Sequence, residues 1–161
     1  MQASTPPELT YCILGPEGLD RIGALWEQLR DHHAGRSTDF AAAFSAAQWG
    51  DRRRELAEKA RTHRLIVHLA LDAATERPVG YCVSSAQPKS VGEIESLFVE
   101  KAFRKTGVGD RFMRHALAWM DEQGVTRRRI GVMIGNEEAF GFYARYGFKP
   151  RLTILEQPQE E

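Results

Sequence analysis

The sequence predicts an α/β (α+β) fold: a central mixed, mostly antiparallel sheet flanked by about four helices, with one β-loop-α-β unit in its second half. Three observations predict it. Segments 64–72, 79–87 and 91–99 have strand character and are joined by the short polar connections 73–78 and 88–90, the pattern of an antiparallel meander. Two apolar-periodic helical segments precede the meander. After it, the strand ending near Val99 runs into a glycine-bearing loop, a helix and another strand, which implies parallel pairing through a right-handed crossover.

Taken in order, Leu9 to Leu14 alternates as a first strand, and Gly15-Pro16 breaks it. A helix is predicted from Leu19 to about Asp31, with Ile22, Leu25, Trp26 and Leu29 on its apolar face. A second helix, capped by Thr38 or Asp39, runs through Phe40, Phe44, Trp49 and Leu56 to Lys59 with an interruption near Gly50. Beyond the meander, Phe112, Met113, Ala116, Leu117, Trp119 and Met120 recur at helical spacing until Gly124. Ile130 to Ile134 is strand-like. Asn136 is expected to cap a helix reaching about Tyr146, Gly147 to close it at positive φ, and Phe148 to open a final strand through Leu155.

A chain of 161 residues, 42% hydrophobic and 27% charged, suits one domain over 1–161 with its core at about 9–156. Acidic and basic side chains balance at 22 each, so no global field attracts nucleic acid or anionic lipid, and Arg127-Arg128-Arg129 reads as the border of a solvated turn. No apolar run approaches the roughly 20 residues that span a bilayer, and Met1 to Pro7 lacks the plan of a secretory leader, so a cytoplasmic protein without a membrane role is expected. Cys12 and Cys82 fall in strand-like segments where a thiol packs as a small apolar group. Met1 to Glu8 and Gln157 to Glu161 are expected to fray. His32 and His33 follow the first predicted helix, but adjacent positions point about 100° apart and do not make a paired metal ligand. No metal is expected. His63, His68 and His115 are isolated and read as packing or surface residues.

The chemistry begins at Arg104-Lys105-Thr106-Gly107-Val108-Gly109, between a strand and a helix start. Such a junction offers unpaired N–H groups and the positive end of the helix dipole, and the glycines let backbone approach phosphate oxygens closely. Arg104 and Lys105 add charge. A nucleoside triphosphate loop requires its Lys after a glycine, whereas Lys105-Thr106 precedes Gly107. A dinucleotide fingerprint requires three glycines after an early strand, and this loop has two, late in the chain. What remains is a phosphate or pyrophosphate cradle.

Arg104-x-x-Gly107-x-Gly109, preceded by Glu93-Ile94-Glu95-Ser96-Leu97-Phe98-Val99, resembles the central motif of the GNAT superfamily of N-acetyltransferases. A second signature follows in register, from Asn136-Glu137-Glu138-Ala139-Phe140 through Tyr143 to Gly147-Phe148, and the element order agrees as far as Phe148. The resemblance implies that acetyl-CoA is the co-substrate, its pyrophosphate on the amides of Arg104, Lys105, Thr106, Gly107, Val108 and Gly109. It implies that the pantetheine pairs with the strand edge at Leu97, Phe98 and Val99, with an amide near Leu97 or Phe98 polarising the acetyl carbonyl. Asn136, Phe140 and Tyr143 border the coenzyme in the same picture, and the Tyr143 hydroxyl serves the leaving thiolate. Without the resemblance, Phe140, Tyr143 and Phe148 would read as the apolar seam of a helix.

Glu93 and Glu95 alternate on one strand face with Leu97, opposite Ile94 and Phe98, and are the candidates for the base that deprotonates the amine. The implied activity is transfer of acetyl to a primary amine of a small molecule or protein by direct attack; the competing reading is a non-catalytic acyl-CoA-binding sensor or interaction domain. His32 and His33 border the acceptor side in the resembled family. One departure matters: only a single strand follows Phe148 where many members have two, so the acceptor site is expected to be more open, or completed by a second subunit in a homodimer.

Overall fold

The protein is described by a computed structural model that covers residues 7–159. Its elements are β1 (Leu9–Leu14), a 3-10 turn (Pro16–Arg21), α1 (Gly23–Arg36), α2 (Ala41–Ala46), α3 (Trp49–Lys59), β2 (Arg64–Asp72), β3 (Pro78–Ala86) and β4 (Val91–Val99). A second 3-10 turn (Lys101–Phe103), α4 (Val108–Glu122), β5 (Arg127–Ile130) and α5 (Ala139–Ala144) complete it. The strands lie in sequence order, antiparallel from β1 to β4 and parallel between β4 and β5. This is the mixed, mostly antiparallel sheet read from the meander and the crossover.

Helices cover both faces. On one, Phe112, Met113, Ala116 and Met120 of α4 pack with Ile94, Val99 and Tyr143. On the other, Leu19, Ile22, Leu25 and Leu56 pack with Val67, Leu69, Tyr81, Val83 and Phe98. The central strand β3 is therefore buried along nearly its whole length, which explains its continuous small and apolar run. Cys12 and Cys82 are free thiols.

Besides α5, which is shorter than the 136–146 expected, four boundaries differ from the sequence reading. The first helix starts later and runs to Arg36, so His32 and His33 lie within it instead of after it. The second helical segment divides at Ala47–Gln48, two residues before the expected break at Gly50. Tertiary contacts decide that break: Arg30 donates to the Ala47 carbonyl at 3.1 Å, and the Trp49 ring lies so close to Gly23 that a Cβ there would come within 2.8 Å of it.

The strand expected at Ile130–Ile134 forms instead at Arg127–Ile130, through the arginine triplet that read as a turn. Its register with Val91–Ile94 is supported by ion pairs from Arg128 to Asp121 and from Arg129 to Glu93. The fourth difference is the final strand at Phe148–Leu155. No strand forms there among the described residues, and Leu152, Ile154 and Leu155 are 80, 79 and 91% exposed. The fraying expected of residues 1–6 and 160–161 lies outside the described residues.

Candidate active site

The site is built where β4 and β5 part. Their pairing stops at Ile94↔Ile130. At the next residue β4 bulges: Ser84 faces Ile94 while Val83 faces Ser96, so Glu95 is the extra residue. The bulge resets the alternation. Glu93, Glu95, Ser96 and Phe98 look toward α1–α3, while Ile94 and Leu97 join the α4 side. The simple two-residue rule that grouped Leu97 with the glutamates thus fails at this position. Beyond the bulge, residues 96–99 pair with β3 and with no other described strand, leaving an open backbone edge on the side from which β5 has departed.

At the end of that edge, the chain turns through Lys101–Phe103 into α4. Lys105 (φ 61°) and Gly107 (φ 90°) both occupy the left-handed region, and alternating backbone hands of this kind gather successive amides into an anion-binding concavity. No side chain among the described residues caps α4, so its first N–H groups are left for a ligand. Arg104 curls back, its Nε donating to the Val99 carbonyl at 2.7 Å with the guanidinium 5.4 Å from the centre of the Phe98 ring. Of the residues read as a cradle, Arg104 therefore holds the loop to the strand, Val108 is buried beneath it, and Lys105, Thr106 and Gly107 are exposed.

Across the opening, α5 carries Tyr143, 9% exposed and in edge contact with Phe142 (5.0 Å) and Phe148 (6.2 Å). Burial, then the neighbouring Cys82, pushes its phenol well above the ordinary value, so it stays protonated at neutral pH. The hydroxyls of Tyr81 and Tyr146 bond to Ser96 (2.7 Å) and Asp110. That of Tyr143 has no such partner among the described residues. Phe140, on the same short helix, is 41% exposed and stands apart from the seam that Tyr143 joins.

Asn136 does not cap α5, which begins at Ala139 after Glu138. It sits in the preceding turn, where its backbone N–H donates to the Met133 carbonyl and its side-chain Oδ1 lies 3.4 Å from His32 Nε2. Arg36 pairs with Glu138 at 2.9 Å, and at Gly135 (φ 87°) a Cβ would overlap the Arg36 carbonyl. The end of α1 is thus pressed against the loop between β5 and α5. Half-buried beside His32 and facing Phe44, His33 is lowered to about 4, first by desolvation and then by the adjacent ring, and is neutral.

Glu93 and Glu95 meet cations that the sequence reading missed. Lys59 of α3 bonds to both, Arg52 reaches Glu95 Oε2 at 3.3 Å, Arg129 reaches Glu93 at 3.2 Å, and Ser85 Oγ donates to Glu95 Oε1 at 2.5 Å. Burial raises the Glu95 carboxyl, but the Lys59 and Ser85 hydrogen bonds and the Lys59 and Arg52 charges outweigh it and hold the group below the usual range. The signal for Lys59 and Arg52 was present: both lie on the sheet-facing side of the helix that ends at Lys59, three and four residues from Leu56. Only the fold says which strand they meet.

On the other flank of α4, His68, 3% exposed, borders a cavity of about 290 Å³ with Tyr11, Arg111, Phe112 and His115, and its Nδ1 has no hydrogen-bond partner among the described residues. Among the described residues no cluster of three or more His, Cys, Asp or Glu could hold a metal ion, and no helix is long and apolar enough to cross a membrane.

Comparison with known proteins bears on this arrangement. The model of the acetyltransferase (GNAT) family matches residues 26–148. An uncharacterised N-acetyltransferase of Methanocaldococcus jannaschii is 28% identical over 84 residues, which are 48% of this chain; the match spans 37% of that protein's length. Among solved structures, a GCN5-related N-acetyltransferase from Ralstonia eutropha superposes with a TM-score of 0.70 at 19% identity, covering 92% of this chain and 97% of that one. The PaiA N-acetyltransferase of Thermoplasma acidophilum, in complex with coenzyme A, gives 0.70 at 16% identity, covering 91% and 93%. At these identities the structures speak for the fold.

Proposed function

The chain belongs to the acetyltransferase (GNAT) family, and from that premise we propose that it is an N-acetyltransferase that binds acetyl-CoA in the gap between β4 and β5. The proposed acceptor is a primary amine of a small molecule or protein, attacking the thioester directly. The observation that carries the reading is the coincidence, at one opening, of an uncapped helix N-terminus, an unpaired strand edge and a buried protonated tyrosine.

In this proposal the amides of residues 104–109 hold the pyrophosphate, with Lys105 adding charge from the exposed side. The edge at Leu97, Phe98 and Val99 pairs with the pantetheine, and an amide there polarises the acetyl carbonyl as charge develops on its oxygen. Asn136 and Phe140 flank the pantetheine arm from the β5 side. Tyr143 gives its proton to the departing thiolate. The support for that role is its place on α5 beside the gap and a hydroxyl that no described side chain occupies, not its raised phenol value, since burial makes the phenol a weaker acid.

Glu93 and Glu95 have different environments for the base role. With its side chain 5% exposed and tied to Lys59, Arg52 and Ser85, Glu95 is a weak proton acceptor and serves to fix the two cations at the mouth of the gap. Glu93, 23% exposed, retains contact with solvent and is the proposed acceptor of the amine proton through water.

Calorimetric titration with acetyl-CoA, with ATP and NAD at the same salt as controls, tests the binding step. Saturable micromolar binding of acetyl-CoA alone is expected, followed by thiol release when amines are added. Absence of binding would remove the reading; binding with no turnover on a broad amine panel would leave an acyl-CoA sensor instead.

A further inference from the structure

The sheet has a second opening, at the edge farthest from the gap between β4 and β5. β1 forms that edge, and Tyr11 and Ile13 lie on its α4 face beside His68 of β2, the register partner of Ile13. α4 passes over them and closes the space with Arg111, Phe112 and His115, leaving a cavity of about 290 Å³. An apolar cavity of about 150 Å³ is enough to admit benzene. This one therefore has room for a single ring and a polar substituent.

The lining is of two kinds. Tyr11 meets Phe112 edge-on at 6.4 Å and, with Ile13, offers apolar surface. Opposed to it stand three nitrogen-bearing side chains, His68, Arg111 and His115, and no Asp or Glu lines the space. Arg114 on the same helix is paired with Asp110 at 2.5 Å, whereas the Arg111 guanidinium rests 4.0 Å from the centre of the Tyr11 ring. A guanidinium held on an aromatic face without a carboxylate is a ready anion partner. His68 is the second sign. It is 3% exposed, and its Nδ1 has no partner among the described residues, although enclosed polar atoms are nearly always bonded and an unbonded one costs stability. Desolvation, and then His115 with its ring 6.0 Å away, keeps the imidazole neutral. A neutral ring can place its one proton on either nitrogen, so it has an N–H to offer an entering oxygen.

We propose that this cavity is a second ligand site and takes a small aromatic carboxylate, its ring against Ile13 and Phe112 and its carboxylate between the Arg111 guanidinium and the His68 imidazole. Such a ligand brings what the lining lacks: negative charge for Arg111 and an acceptor for the buried histidine. An amine would set a second cation beside Arg111. The site is separate from the coenzyme gap, because β2 and β3 lie between β1 and β4. The two meet only through α4, where the Arg111 backbone N–H donates to the Gly107 carbonyl at 3.0 Å. This inference rests on the cavity and its lining, and is independent of the acetyltransferase reading.

Benzoate is the probe, with benzamide and benzylamine as its uncharged and cationic counterparts. In proton–nitrogen correlation spectra of the full chain, benzoate should saturably shift the amides of residues 11–13, 68–69 and 111–115. The two counterparts should bind at least about tenfold more weakly, the loss expected when a charge-assisted hydrogen bond is missing. Arg111→Met and His68→Leu should each weaken benzoate by a similar factor, and His68→Leu should do so without lowering the melting temperature at pH 7. Arg111 is exposed, so its variant keeps the fold and the readout whatever happens at His68. The absence of saturable shifts, equal binding of benzamide, unchanged affinity in Arg111→Met, or shifts confined to the loop at residues 104–109 would each overturn the proposal. A chain that takes benzoate in this cavity and binds no acetyl-CoA would uphold it and place the fault with the functional reading.

Discussion

Tyr143 and Glu95 illustrate how environment assigns work to a residue. Both are largely buried, yet burial keeps the phenol protonated while Lys59, Arg52 and Ser85 keep the carboxyl ionised against the same desolvation. Burial thus acts unopposed on the phenol, whereas three partners reverse its effect on the carboxyl. Tyr143→Phe should lower kcat by about a hundredfold, in the range typical of a lost general acid, with acetyl-CoA affinity nearly unchanged. Measured in parallel by thiol release and calorimetry, an equal kcat would return Tyr143 to the seam it forms with Phe142 and Phe148. The tyrosine could be chosen from its place in a motif. The Lys59 contact with Glu93 and Glu95 could not, because it joins positions 34 and 36 residues apart.

At the scale of elements, the turn into α4 is the part whose geometry the sequence specified most completely. Gly107 adopts φ 90° with open space around its Cα, so a side chain there would meet no clash and would still be strained by the backbone. Gly107→Ala should thus cost about 1 kcal/mol of stability and a modest part of acetyl-CoA affinity. Gly107→Asp adds a carboxylate to the proposed anion cradle and should abolish binding while costing no more stability than alanine. Calorimetry and thermal unfolding on the pair separate the two effects, and equal affinities in the two variants would exclude a phosphate at this turn. Elements whose ends depend on distant partners were less legible. α1 extends past Asp31 because its end abuts the loop before α5, and β5 shifts onto three arginines because Asp121 and Glu93 pair with two of them. Periodicity registers apolar faces but not which charges will be neutralised after folding. The bulge at Glu95 is likewise invisible to an alternation rule, since it adds a residue to the count on β4 alone.

Across the whole molecule, stability should respond to mild acid through two histidines. His33 and His68 are both lowered to about 4, by burial first and by the neighbouring His32 and His115 second, against an ordinary value of 6.5. Such a group favours the fold fully above pH 6.5, and its contribution is lost as pH falls toward 4, because only the unfolded chain takes up the proton in that window. The melting temperature should therefore fall between pH 6.5 and 4.5. His68→Leu should flatten that fall and raise stability at pH 7 by about 1 kcal/mol, since it removes a buried ring nitrogen without a partner. Unfolding curves at pH 7 and 5 that move in parallel for the variant and the wild type would disprove the role of His68. The sheet order and the two helical layers were readable from the strand run and the crossover, because those follow from periodicity and connection length. The missing last strand was not, because apolar alternation shows that a segment can pair and is silent on whether an edge lies within its reach.

The contact between Gly135 and the Arg36 carbonyl has a kinetic consequence. The end of α1, which the family resemblance sets beside the proposed acceptor site, and the loop that leads to Asn136 touch without room for even a methyl group, so one cannot shift unless the other follows. An acceptor that displaced α1 would change the affinity for the coenzyme, and the coenzyme would change the affinity for the acceptor by the same factor. Initial-rate patterns in which each substrate alters the apparent dissociation constant of the other are what such a joint transmits.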